Sequence, residues 1–137
     1  MSMEFPADVQ RRLDSDHVVW LTTVTDSGAP APNPVWFVQD GEDIVVFSPP
    51  DAHKARNIAT RPVVTLNFNS DPFGDDVAVI TGRATATPSV VPSANQAYVA
   101  KYGAAIREEL QSNLDAFDGT YHTELRIHPT KVRGTPS

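Results

Sequence analysis

The sequence predicts a mainly β domain of six strands with helices at its periphery, and three observations carry that expectation. Six segments are rich in β-branched and aromatic residues and are bounded by turn residues, the pattern of short strands. Asp40-Gly41, between two of them, is a favoured hairpin dipeptide. Gly82 interrupts the longest segment and marks a bend or bulge there, as a barrel corner needs.

Each element follows from its own residues. Pro6 to Leu13 reads as a short helix whose buried edge is Val9 and Leu13. "HVVWLTTVT", His17 to Thr25, is the first strand and ends at the turn Asp26-Ser27-Gly28. "APNPVWFVQ", Ala31 to Gln39, is the second. Pro30, Pro32 and Pro34 lack amide donors, so its first half must lie at an edge or a break in the ladder. "DIVVFS", Asp43 to Ser48, is the third, and a small helix follows it. "VVTLNFN", Val63 to Asn69, then a loop from Ser70 to Asp75, lead to the long strand from Asp76. Ala78, Ile80, Gly82 and Ala84 share one face of that strand, and Val77, Val79, Thr81 and Arg83 the other. Ser93 and Gln96 form the S-x-x-Q of a capping box. A helix is therefore expected from Ala94, with Tyr98, Tyr102, Ile106 and Leu110 packed on the barrel. Tyr121 to Gly134 is the last strand, with Pro129 at its end or at a bulge.

Composition removes several classes of function. The 137 residues are about one domain's length, so residues 1–137 are expected to form a single unit. With no cysteine there are no disulfides, thiolate metal sites or thiol nucleophiles. The four histidines, His17, His53, His122 and His128, show no ligand spacing, so no metal site is expected. A net charge of −6 with scattered Lys and Arg argues against a nucleic-acid partner. No apolar run reaches a membrane span, and the N-terminus lacks a signal-peptide layout, so a cytoplasmic protein is expected. Eight arginines against three lysines, with abundant Ala, Val and Asp, hint at a high-GC source.

The stretch "SPPDAHKARNIATRPVV", Ser48 to Val64, holds the candidate anion site. On a helical wheel Ala55, Ile58 and Ala59 fall on one arc, and His53, Arg56, Asn57, Thr60 and Arg61 on the opposite one. Lys54 sits at the margin. Asp51 is the expected N-cap, which would put a carboxylate where an anion gains most from the free amides. An anion would then sit beside the first turn, within joint reach of Lys54 and Asn57. A purely solvated polar face is the alternative. The proline-rich strand also reads in two ways, as a protected edge or as a flat bed for a planar heterocycle. Trp36 is expected to be buried or at a subunit interface.

The pieces "GAPAPNPVWFVQDGEDIVVFS", "HKARNIATRPVVTLNF" and "RIHPTKVRG", in this order and spacing, resemble the pyridoxamine-phosphate-oxidase-like split β-barrel proteins. More narrowly they resemble the small actinobacterial flavin/deazaflavin oxidoreductases that bind coenzyme F420. The resemblance implies a six-stranded split barrel of the FMN-binding type, a homodimer with the cofactor in a groove between barrels, and hydride transfer to a small conjugated substrate. It implies that Asn33, Pro34, Val35 and Trp36 line the cofactor ring and that Ser48, Lys54 and Asn57 meet its phosphate, with His53 and Arg56 beside them. FMN-binding members often carry a further Arg or Lys on the strands around the ring. "PVWFVQ" and "DIVVFS" contain none, which favours F420 over FMN. An FMN enzyme of the pyridoxamine-phosphate-oxidase kind and a cofactor-storage protein without turnover are the alternatives.

Overall fold

The computed structural model describes residues 4–134. Seven antiparallel strands form one curled sheet in the order β2-β1-β5-β6-β7-β4-β3. They are β1 (Val19–Val24), β2 (Pro30–Val35), β3 (Val38–Asp40), β4 (Asp43–Ser48), β5 (Val63–Asn67), β6 (Ala78–Pro88) and β7 (Thr123–Gly134). Four helices flank it: α1 (Ala7–Ser15), α2 (His53–Thr60), α3 (Gln96–Glu108) and α4 (Leu114–Thr120).

The expected six strands are seven because the second one breaks at Trp36-Phe37, leaving β2 and β3 at opposite edges of the sheet. Three residue steps span at most about 10 Å, so this link holds the two edges facing one another. No ladder joins β2 to β3 among the described residues, so the sheet is curled but not closed, and the expected barrel is open. The break has a physical cause. The Phe37 amide donates to Tyr102 Oη at 2.9 Å, and its carbonyl accepts from Lys101 Nζ at 2.9 Å, so α3 takes the groups a neighbouring strand would have used.

β2 is the edge strand its prolines require. It pairs only with β1, Pro34 opposite Trp20 and Pro30 opposite Val24. Because strand positions alternate, the prolines turn their missing donors outward while Ala31, Asn33 and Val35 face β1.

Two cores lie on either side of β4, whose residues from Ile44 to Ser48 are all buried. Inside the curled sheet, Leu21, Phe37, Ile44, Leu66, Ile80 and Ile127 pack together. Outside it, Val45 and Phe47 meet Tyr98, Tyr102, Ile106 and Phe117 from α3 and α4. Gly82 sits at a register shift between β6 and β7, where Thr81 pairs with Lys131 and Gly82 with Pro129. The expected bulge is therefore real, and the last strand runs on past Pro129.

Three local expectations are corrected. Ser93 does not cap α3: it lies in a 3-10 turn, Pro92–Ala94, and its hydroxyl is taken by Asp118. Asn95 is the N-cap instead, accepting from the Tyr98 amide at 3.0 Å. Leu110 does not continue the packed face, because α3 ends at Glu108 and leaves it 51% exposed. Helix α4 was not expected at all; Asn113 caps it by accepting from the Ala116 amide at 2.9 Å.

Candidate functional site

Helix α2 packs on β1 and β6 through Ala55 and Ile58. Ala59, expected on the same buried arc, is exposed. The N-cap is Ala52 rather than Asp51, and no side chain caps the first turn. Asp51 therefore does not occupy the helix start, and the reason for moving an anion away from it falls.

The helix divides two cavities. On one flank, His53, Arg56 and Asn57 line an open cavity of about 840 Å³ with Asn33, Thr25 and Ser27. Arg56 Nη2 lies 2.8 Å from His53 Nδ1. A guanidinium can only donate, so this contact puts the neutral histidine's proton on Nε2. Asn57 Nδ2 donates to Thr23 Oγ1 at 3.0 Å, which fixes its amide against β1 and leaves its oxygen free to accept. Thr60 and Arg61 are bound to Asp26 at the far rim, so Arg56 is the cation this wall offers an anion.

On the other flank, Lys54 lines a second cavity of about 160 Å³ with Pro34, Val35 and Trp36. Burial pushes the Lys54 ammonium below its ordinary range. Phe117 and Tyr121, which sequence reasoning did not select, form its aromatic wall. The only signal for them was their four-residue spacing behind Asn113, a helical period ahead of the expected strand.

The expected site residues are thus split into two groups. Asn33, His53, Arg56 and Asn57 share the larger cavity, and Pro34, Val35, Trp36 and Lys54 share the smaller. Lys54 and Asn57, expected to reach one ligand together, point to different cavities. Ser48 lines neither: it is fully buried and its hydroxyl donates to the Pro49 carbonyl at 2.6 Å.

Apart from these cavities, a charged cluster lies across β3, β4 and β7. Arg126 donates to Glu124, Asp40 and Asp43, and His128 Nδ1 is 3.0 Å from Asp43. The hydrogen bonds it donates to Glu124 and then Asp40 hold the guanidinium above its ordinary range. Burial pushes Asp43 up, but the bonds from His128 and Arg126 outweigh it and keep its carboxyl low. Already bound by three carboxylates, Arg126 has little left for an external anion.

The curled antiparallel sheet agrees with the comparisons to known proteins. The profile of the family described as pyridoxamine 5'-phosphate oxidase matches residues 5–135, and the chain belongs to that family. A solved F420 reductase is 21% identical, with a TM-score of 0.75 over 94% of this chain and 98% of that one. A putative pyridoxamine 5'-phosphate oxidase from Listeria innocua is 20% identical, with a TM-score of 0.65 over 94% and 96%. A conserved hypothetical protein from Mycobacterium tuberculosis is also 20% identical, with a TM-score of 0.65 over 96% and 88%. At these identities the likeness is one of fold. No curated protein matches the chain. Among the described residues, no helix is long and apolar enough to cross a membrane.

Proposed function

We propose that this protein is an oxidoreductase that binds a phosphate-bearing tricyclic cofactor, coenzyme F420, along β2 and α2, as a homodimer. The observation that carries the reading is the Arg56–His53 pair facing Asn33 across the larger cavity. Ligand sites for molecules of this size run roughly 300–1,000 Å³, so about 840 Å³ suits the tricycle while about 160 Å³ does not. Arg56 would hold the phosphate as a fork donor, with Asn57 and His53 beside it. The outward edge of β2 offers proline carbonyls and no amides, which suits a ring that presents N–H groups. When bound, F420 supplies a hydride from its own ring; the chain's part is to hold the cofactor and a small conjugated acceptor in contact and exclude water.

F420 is preferred over FMN because no Arg or Lys lies on β2, β3 or β4, and the nearby Arg126 is bound to carboxylates. Fluorescence titration with each cofactor tests this. Micromolar binding of F420 supports the reading. Binding of FMN alone transfers it to a flavin enzyme, and binding of neither removes the cofactor reading altogether.

A further inference from the structure

The loop between β5 and β6 holds an aromatic ring out in solvent: Phe73, at its tip, is 92% exposed. A lone exposed phenylalanine on a flexible segment is ordinary, but this one is fixed in place. One carboxylate oxygen of Asp71 accepts from the Phe73 amide at 2.9 Å and the Asp75 amide at 2.8 Å, and the Asp71 amide donates to the Asp75 carbonyl at 2.8 Å. Both roots of the loop are gripped by the buried Arg12 guanidinium. It donates to the Asn69 carbonyl at 2.7 Å, and to the Asp76 carbonyl and carboxylate at 3.1 and 3.0 Å.

Beside this loop runs a sheet face that neither core uses. Helix α2 packs into the inner core, and α3 and α4 lie on the outer side of β4. On the outer side of β1, β5 and β6 the register aligns Trp20 with Asn67 and Val79, and Thr22 with Thr65 and Thr81, all half-exposed and uncharged. Trp20, Pro32, Asn67 and Val79 line an open hollow of about 480 Å³ at the root of the loop. One strand further, Val79 pairs with Arg133 and Thr81 with Lys131, so the face ends in a basic border. Among the described residues, Lys131 and Arg133 form no ion pair, and neither do Asp71 and Asp75 on the loop.

We propose that two copies of the chain pack through this face about a two-fold axis, the Phe73 ring of each entering the hollow of the other and Asp75 of each meeting the other's basic border. The surface carries a knob and a hollow side by side, so one two-fold axis satisfies both at once and closes the assembly. Charge selects the same occupant, because the acidic loop and the basic border of a second copy attract. A ring already held rigid loses little freedom on docking, and a face of Thr, Val and Asn without charges is cheaply stripped of water. This surface gives the homodimer of the proposed function its interface, and so rests on that reading. Pro32 lines both this hollow and the larger cavity, which brings the other copy's loop to the rim of the proposed cofactor site.

The test uses the full natural chain without cofactor, so its outcome is separate from that of the cofactor titration. Sedimentation should show a dimer. Phe73→Ser should raise the dimer dissociation constant about tenfold or more and leave the far-ultraviolet circular dichroism unchanged. Asp75→Lys and Lys131→Glu should each weaken the dimer by about tenfold, and the double variant should restore it, as exchanged opposite charges require. A monomeric natural chain overturns the surface and the homodimer together. A dimer indifferent to Phe73→Ser, or a double variant that does not recover, overturns the surface and leaves the homodimer standing. Growth into longer chains with concentration overturns the two-fold arrangement.

Discussion

The Tyr102 hydroxyl accepts from the Phe37 amide at 2.9 Å and lies 2.6 Å from the His17 carbonyl, joining α3 to the link between the two sheet edges and to the start of β1. Tyr102 is fully buried, and burial holds its phenol well above the ordinary range, so it stays protonated. Tyr102→Phe keeps the ring stacked on Trp36 but leaves a buried amide without a partner. We expect a loss of about 1–3 kcal/mol in denaturant unfolding, the scale of an unsatisfied buried donor.

Lys101 should give the stability a specific pH dependence. Its ammonium bonds the Phe37 carbonyl and lies 3.6 Å from the Phe37 ring centroid, yet burial brings its pKa from 10.5 down to about 8, against the pull of Asp16 and Asp14. Between those values the unfolded chain holds more protons than the folded one, so stability rises with pH through this window. Below about 8 both states are charged and the burial penalty is present in full. Lys101→Met removes this titration. The difference in unfolding free energy between the natural chain and the variant should move in favour of the natural chain from pH 8 to pH 10.5; a flat difference contradicts the assignment.

Gly82→Ala should destabilise the fold at the bulge. A Cβ there would stand 2.6 Å from the His128 carbonyl oxygen and 2.7 Å from Ile127 Cγ2. Backbone on one side and a buried side chain on the other leave no room to give. The expected cost is about 1–3 kcal/mol, as for other overpacked sites, read from the thermal or denaturant midpoint.

Arg56→Ala should separate cofactor binding from stability. Arg56 is exposed and, among the described residues, its side chain bonds only His53, so the melting temperature should hardly change. Under the proposed function, F420 affinity falls by roughly 1–3 kcal/mol, the scale of a charge-assisted hydrogen bond. Lys54→Ala should cost F420 less, since Lys54 faces the other cavity. The reverse ranking would return the phosphate to Lys54.

Much of this was legible in the residues. The proline spacing called for an edge or a break in the ladder, Asp40-Gly41 favoured a hairpin, and Gly82 marked a bend or bulge, because each depends on local backbone chemistry. The break at Trp36-Phe37 was not legible, since it is imposed by Tyr102 and Lys101 from a distant helix. The cap of α3 was misread for a similar reason. Ser93 had the right chemistry, but Asp118 takes its hydroxyl and Asn95 performs the capping two residues later. For the site, the sequence pointed to the segments that line the two cavities but not to their division between them. Which flank of α2 each side chain serves depends on where α4 sits, and α4 itself went unrecognised.

The short link between β2 and β3 also orders events during folding. The hairpins β1–β2 and β3–β4 are local in sequence and need no distant partner, so they can form as soon as they are made. They end as the two outer borders of the sheet, tied by Trp36 and Phe37, with β5, β6 and β7 inserted between them. The free side of β4 finds its partner only when Thr123–Ile127 arrives from the far end of the chain. Until then one edge of an apolar strand stands unpaired, so a nascent chain lacking its last strand is the species most exposed to misassociation.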